Sequence, residues 1–379
     1  MNLNNNKTIA FFNAFFLPHL GGVERYTYNL GKMLIEQGYN VIVITTNHTG
    51  ELNERENLEG IEIYRLPTIN FWKNRYPFFE KNHNFEKLLE KIKSIKIDTY
   101  VVNTRLYQMS LLGCRAADEN GKEAIVIEHG TTYLTFGNKI LDFFLNNVER
   151  LLIKRVKNYT TRFYGVSKQA ANWLKEFNIN SEGVLYNAVD EKDFERFSKR
   201  KNENRITLNF VGRFQAKFKG IETLLSAFEK LSREYDNVEL FLAGDGPILE
   251  AMRKKYSQER INFLGRVSHE EVLKLNSKSD IFVLLSKIEG FSTSMIEAAM
   301  LKNVVITTDV GGARELIPTE EYGYIIENDE VKLLETLKKI ISDKEIMRKT
   351  QEKVSLRVLQ NFTWTQTAKR LVEVIEGDS

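Results

Sequence analysis

Ser279 to Met300 reads SDIFVLLSKIEGFSTSMIEAAM, and its hydrophobic pattern changes half-way along. Ile281, Phe282, Val283, Leu284 and Leu285 form an unbroken apolar run, which suits a strand buried on both faces of a parallel sheet. Glu289-Gly290-Phe291-Ser292-Thr293-Ser294 is a small, flexible turn. Met295, Ile296, Ala298, Ala299 and Met300 then fall on the apolar side of a helix. Ligands of open α/β sheets sit at the carboxyl ends of the strands, where this turn lies. The amides opening the helix lack internal partners and sit at its positive pole, so they favour a phosphate. Glu289 lies in the turn and Glu297 in the first or second turn of the helix, so the pair can reach different parts of one elongated ligand. The plainer alternative is a strand–turn–helix with two solvated glutamates.

At 379 residues the chain is too long for one ordinary α/β domain, and two domains are expected. A net charge of +3 is too small to argue for nucleic acid. The single cysteine, Cys114, excludes a disulfide framework within the chain and a Cys-based metal site. The five histidines are scattered and show no metal-ligand spacing. The N-terminal apolar run is short and ends in a Gly turn, unlike a signal peptide, and no apolar run of about 18 residues exists. A cytoplasmic location is expected, and the Asn-x-Ser/Thr sequons at Asn47, Asn158 and Asn361 are read as chance.

Strand and helix patterns alternate along the chain, as a doubly wound parallel sheet requires. In the first half, strands are expected over 7–16, 41–46, 61–66, 99–103, 124–127, 162–166 and 183–186. Helices are expected over 23–37, 85–96, 106–120, 139–158 and 168–177. The aromatic stretch 68–84 is expected to be irregular, and the polar stretch 189–205 to be a linker. A second alternation follows, with strands over 206–211, 238–243, 261–264, 281–285 and 304–307. Its helices are expected over 221–233, 248–256, 270–276 and from 295. Two helices then close the chain, 330–358, with a break near Asp343, and 364–376.

Several strand ends carry chemistry. Val211-Gly212-Arg213 is followed by Lys219-Gly220 just before the next helix. Two cations across a flexible loop can hold a diphosphate by fork and by point charge. Ala243-Gly244-Asp245-Gly246-Pro247 is a Gly-rich turn after a strand, weak evidence on its own. In the first half, Gly21-Gly22 opens a helix, and two residues without Cβ let a backbone approach a phosphate or sugar closely. Glu128-His129-Gly130 closes another strand.

Taken together, these motifs resemble the retaining nucleotide-sugar glycosyltransferases of family 4, of the bacterial cell-surface glycan type. The resemblance runs from Gly21 to the final helix at Trp364. It implies a GT-B fold: two Rossmann-like doubly wound domains facing across a cleft, with the C-terminal helix crossing back to the first. The N-terminal acceptor-binding domain would span 1–188 with 362–379, and the donor-binding domain 189–361. By the same resemblance Arg213 and Lys219 stabilise charge on the leaving nucleoside diphosphate, and Glu289 and His129 sit by the donor sugar. Glu297 meets the ribose hydroxyls, Arg266 and Val267 meet the base, and Gly290, Phe291, Ser292, Thr293 and Ser294 offer amides to the phosphates. Gly21, Gly22, Gly212 and Gly244 line the donor. The Val310-Gly311-Gly312 turn is structural. No cofactor and no metal is implied, because Arg213, Lys219 and the helix N-terminus supply positive charge.

The implied reaction moves a hexose-type sugar from a UDP- or GDP-sugar to a hydroxyl of a glycan acceptor, which a lipid carrier could hold. The acceptor site is not legible. Two departures from the family pattern stand out: Ser-Thr-Ser after Gly290-Phe291, and the aromatic stretch Phe71 to Phe79. A nucleotide-sugar epimerase of the same fold would carry a richer acid/base set than His129. A non-catalytic nucleotide-sugar-binding scaffold would have lost Arg213, Lys219 or Glu289. Finally, Lys139 to Lys157 reads KILDFFLNNVERLLIKRVK, an amphipathic helix rich in basic residues. Such a helix either faces a core or lies on an anionic membrane surface.

Overall fold

The computed structural model describes residues 7–71, 76–135, 137–198, 204–215 and 219–377. The chain divides into two compact units, residues 1–186 with 367–379, and residues 187–366.

The first unit holds an eight-stranded sheet and a separate hairpin. Its strands are β1 (Thr8–Phe12), β2 (Asn40–Thr46), β3 (Arg55–Leu58), β4 (Ile61–Leu66), β5 (Thr68–Phe71), β6 (Tyr76–Phe79), β7 (Thr99–Asn103), β8 (Ile125–Glu128), β9 (Phe163–Gly165) and β10 (Gly183–Val184). The sheet order is β10-β9-β8-β7-β1-β2-β4-β3. Every neighbouring pair is parallel except β3–β4. Ile9 on β1 pairs with Val41 on one side and Thr99 on the other. Ile9, Ala10 and Phe11 are fully buried, as expected of a strand covered on both faces.

The aromatic stretch departs from its expectation. Instead of irregular chain it forms the antiparallel ribbon β5–β6, with Thr68 opposite Phe79 and Ile69 opposite Phe78. Pro77 argues against a central strand, but a two-stranded ribbon has only edges, where proline is tolerated. Tyr76 is buried and donates to the Leu106 carbonyl at 2.8 Å. Trp72 lies outside the described residues.

The second unit holds a six-stranded parallel sheet, ordered β13-β12-β11-β14-β15-β16. Its strands are β11 (Ile206–Val211), β12 (Val238–Ala243), β13 (Ile261–Gly265), β14 (Ile281–Leu284), β15 (Val304–Thr307) and β16 (Tyr324–Ile325). The expected helix break is real. Asp343 ends the helix Glu330–Ser342, and its carboxylate caps Lys344–Asn361 by accepting from the Glu345 and Ile346 amides at 3.0 and 2.9 Å.

The expected linker 189–205 is only partly one. Glu191–Phe197 is a helix capped by Asp190 and anchored by buried Phe197. Residues 199–203 lie outside the described residues. Val189 bridges to Thr363, and Asn187 bonds the turn after β14. These ties draw 187–188 and 362–366 into the second unit, so the expected boundary shifts by a few residues. The final helix, Trp364–Glu376, starts there, and from Thr367 on it belongs to the first unit. In the first unit the Arg162 guanidinium donates to the Val374 carbonyl at 2.6 Å.

One buried ionic cluster sits in the first unit. Arg105 is 1% exposed and pairs with both Glu128 and Glu149. Its guanidinium also lies over the Phe177 ring, 4.6 Å from the centroid. Glu128 ends β8, and Glu149 comes from the helix Lys139–Val156. Burial raises the Glu149 carboxyl above the ordinary carboxylate range, against the pull of Arg105. Removing a partner from such a cluster strands buried charge. Arg105→Leu is expected to cost about 3–5 kcal/mol in urea denaturation, and an unchanged midpoint would contradict the cluster.

Candidate functional site

In each sheet the strand order reverses beside the first strand: between β11 and β14 in the second unit, and between β1 and β7 in the first. A crevice forms at such a point beyond the carboxyl ends of the strands. The residues singled out in the sequence gather at these ends.

In the second unit, β14 runs into the expected turn, and the helix Thr293–Met300 follows. Ser292 caps it, its hydroxyl accepting from the Met295 amide at 3.4 Å. The amides of Thr293 and Ser294 have no acceptor among the described residues, so they remain available to an anion. Asn187 pins the turn by donating to the Phe291 carbonyl and to the Thr293 hydroxyl, both at 2.8 Å. The Val310-Gly311-Gly312 turn packs against the Gly290 backbone and the Phe291 ring. Its expected structural role is therefore to support this loop.

Lys219 and Glu289 form an ion pair. Lys219 comes from the loop after β11 and Glu289 from the loop after β14, so the pair spans the reversal point. Ser286 donates to the same carboxylate oxygen at 2.7 Å. Gly220 makes this approach possible. It has φ +65°, and a Cβ there would lie 2.5 Å from that of Leu285. No contact joins Arg213 to Lys219 among the described residues, and 216–218 between them lie outside these.

Arg213 lines a separate pocket of about 410 Å³, with Gly212, Gly244, Asp245, Arg266 and Val267. Arg213 and Arg266 are both exposed, and neither is in an ion pair among the described residues. The Gly-rich turn holds its shape by close packing. Gly244 has φ +140°, and a Cβ there would lie 1.8 Å from the Gly212 carbonyl oxygen. Two exposed guanidiniums outside any ion pair among the described residues outnumber the one carboxylate lining this pocket, Asp245, and leave it net positive.

Glu297 is buried, and it accepts a hydrogen bond from His269 Nε2 at 2.8 Å. Sequence reading passed over His269. The available signal was the capping box of Ser268 and Glu271, which fixes the first turn carrying His269. Asp193 lies near both. Its carboxyl is raised above the ordinary range, first by burial and then by repulsion from Asp190.

In the first unit, half-buried His129 packs edge-on to Tyr26, with ring centroids 4.8 Å apart. Its Nε2 lies 2.7 Å from Asn103 Oδ1. The Asn103 amide nitrogen donates to Asn13 Oδ1 and to the Thr27 hydroxyl. Asn103 Oδ1 is therefore an acceptor, and His129 carries its proton on Nε2. Burial pushes the imidazole down to about 3, so it is neutral near pH 7.

Gly21 and Gly22 differ. A Cβ at Gly21 would meet Glu24 Oε2 at 2.3 Å, whereas one at Gly22 would meet nothing within 4 Å. The room beside Gly21 is thus occupied by the carboxylate of Glu24, which lies 3.3 Å from His19 Nδ1. His19 and His48, also passed over, pack edge to face at 5.5 Å.

Comparison with known proteins gives this geometry a family. Residues 20–193 match the model described as Glycosyltransferase Family 4, and residues 191–356 match that of Glycosyl transferases group 1. The chain belongs to glycosyltransferase family 4. It is similar to the phosphatidylinositol N-acetylglucosaminyltransferase GPI3 subunit of Saccharomyces cerevisiae, 27% identical over 97% of this chain and 82% of that protein. N-acetyl-alpha-D-glucosaminyl L-malate synthase of Bacillus anthracis is 26% identical over 91% of each chain. Among solved structures, sucrose-phosphate synthase from Thermosynechococcus elongatus aligns with a TM-score of 0.75 at 19% identity, covering 98% of this chain and 99% of that one. The Anabaena protein HepE, in complex with UDP and glucose, aligns with a TM-score of 0.71 at 15% identity, covering 98% and 100%. The fold of this glycosyltransferase is GT-B.

Two outcomes follow from the site. A neutral His129 in the folded state resists protonation, whereas the unfolded chain takes up that proton near pH 6.5. Its contribution to stability is complete above 6.5 and is lost progressively as the pH falls towards about 3. His129→Asn should flatten the pH dependence of the urea midpoint across that window; an unaltered slope would show that the imidazole titrates normally. Asn187→Ala removes the bonds to the Phe291 carbonyl and the Thr293 hydroxyl and should cost about 1–3 kcal/mol, read as a lower urea midpoint.

Proposed function

We propose that this glycosyltransferase moves a hexose-type sugar from a UDP- or GDP-sugar to a hydroxyl of a glycan or lipid-linked glycan acceptor, with retention of anomeric configuration. The observation that carries the donor reading is the electropositive end of the second sheet. There Arg213 and Arg266 line one pocket and form no ion pair among the described residues, and the amides of Thr293 and Ser294, with no acceptor among the described residues, open a helix. A nucleoside diphosphate supplies the missing anion. UDP heads the list of donors, because the similar HepE structure holds UDP and glucose. The names of two relatives put N-acetylglucosamine among the sugars to test.

The bond between the anomeric carbon and the diphosphate oxygen breaks, and the acceptor oxygen bonds the same carbon from the same face. The acceptor proton passes to a donor phosphate oxygen, and a nucleoside diphosphate leaves. Arg213 and Lys219 offset the charge that builds on it, with no metal required. The ion pair with Lys219 holds the Glu289 carboxylate ready to position the donor sugar. Glu297, oriented by His269, takes the ribose hydroxyls, and Arg266 with Val267 meets the base. In the first unit, Gly22 and neutral His129 are the groups that the family resemblance assigns to a sugar, and the acceptor site is assigned to that unit.

The test is a thermal-shift panel of UDP, GDP and their sugar conjugates, UDP-N-acetylglucosamine included. One nucleotide at about 100 times its Kd should stabilise the protein by about 2.7 kcal/mol, and Arg213→Ala should lose that shift. With the donor so identified, Arg213→Ala and Lys219→Ala should each lower kcat by about 10²–10³, and turnover should survive EDTA. A cooperative melt with no shift for any nucleotide would overturn the donor reading.

A further inference from the structure

The helix Lys139–Val156 has two apolar faces, and only one is used inside the fold. Leu145, Glu149, Ile153 and Val156 are buried. The other face carries Ile140 at 73% exposure, Phe143 at 65%, Phe144 at 62%, and Val148 and Leu151 at 51% each. These five recur at helical spacing and form one continuous strip. Elsewhere among the described residues, no two exposed large apolar side chains lie within a helical turn of each other. An apolar strip of this kind marks an interaction surface.

The strip cannot be hidden by rolling the helix. Glu149, on the inward face, is tied to buried Arg105 and accepts from the Leu134 amide at 3.3 Å. Turning Ile140 and Phe144 inward would draw Glu149 out of that cluster and leave Arg105 short of a buried counter-charge. The fold therefore fixes the apolar strip outward.

Its charges indicate what covers it. Lys154 and Arg155 stand three and four residues beyond Leu151, on the same face, and Lys139 flanks the other end. None of the three is in an ion pair among the described residues. Glu149 is turned inward, and Arg150 is paired with Glu176, so the free charge beside the strip is mainly positive. We propose that this face docks on an anionic lipid surface. The helix lies in the plane of the interface, with Phe143, Phe144 and Leu151 in the acyl boundary and Lys154 and Arg155 reaching lipid phosphates. It does not span the bilayer, since no described helix is long and apolar enough to cross one. This inference stands apart from the donor reading, because it uses none of the donor-site residues.

The experiment is flotation of the full chain with vesicles of phosphatidylglycerol and phosphatidylcholine in equal parts, against vesicles of phosphatidylcholine alone, with no nucleotide present. The wild type should float with the anionic vesicles and far less with the neutral ones, and added salt should weaken binding. Phe143→Ser with Phe144→Ser should abolish flotation. Lys154→Glu with Arg155→Glu should reduce anionic binding by about twentyfold or more. Both variants should keep the wild-type urea midpoint. Wild-type protein that stays monodisperse and does not float would overturn the proposal, as would flotation unaffected by either pair of substitutions. A concentration-dependent dimer, lost in the Phe variant and without vesicle binding, would overturn it in favour of a protein partner.

Discussion

Parallel strands covered on both faces leave few places for polar chemistry. In both sheets the central strands are buried along their length, so a charged side chain within them would forfeit its hydration without a partner. The loops at the carboxyl ends escape this constraint, and every strand of a parallel run delivers its loop to the same edge. Hence Arg213, Gly244, Arg266 and Glu289, far apart in sequence, emerge from four neighbouring strands of one sheet. The ion pair of Lys219 with Glu289 joins loops on either side of the reversal in strand order. It bridges the two loops that flank this point.

The two units treat charge in opposite ways. In the first, Arg105 is enclosed with Glu128 and Glu149, and His129 is held neutral in a network of amides and a hydroxyl. Arg105 is paired with two carboxylates and His129 with Asn103, which gives rigidity at the cost of desolvation. In the second, Arg213 and Arg266 are exposed and in no ion pair among the described residues, so their charge is not spent on a partner within the fold.

The enclosed cluster also has a consequence at the surface. Glu149 joins the loop after β8, which carries His129, to the helix Lys139–Val156 through Arg105. That link fixes the roll of the helix and so decides which apolar residues meet solvent. A buried ion pair adds little net stability for its size, but it specifies one orientation among several that hydrophobic burial alone would allow.

Periodicity was sufficient for most of the fold. Continuous apolar runs such as 281–285 suited doubly buried strands, and Asp343 could be read as a helix break because capping is a local property. The aromatic ribbon β5–β6 was missed because Pro77 obscured its pattern, and the helix Glu191–Phe197 because polar residues outweighed Phe194 and Phe197. At the site, residue type and spacing brought out Arg213, Lys219, Glu289 and Glu297, since a turn after a strand is also local. What neighbours each of them is not. The partnership of Lys219 with Glu289, the bond from His269 to Glu297 and the outward roll of the 139–156 helix all join residues distant in sequence. Only the packing of strands and helices in three dimensions could decide those.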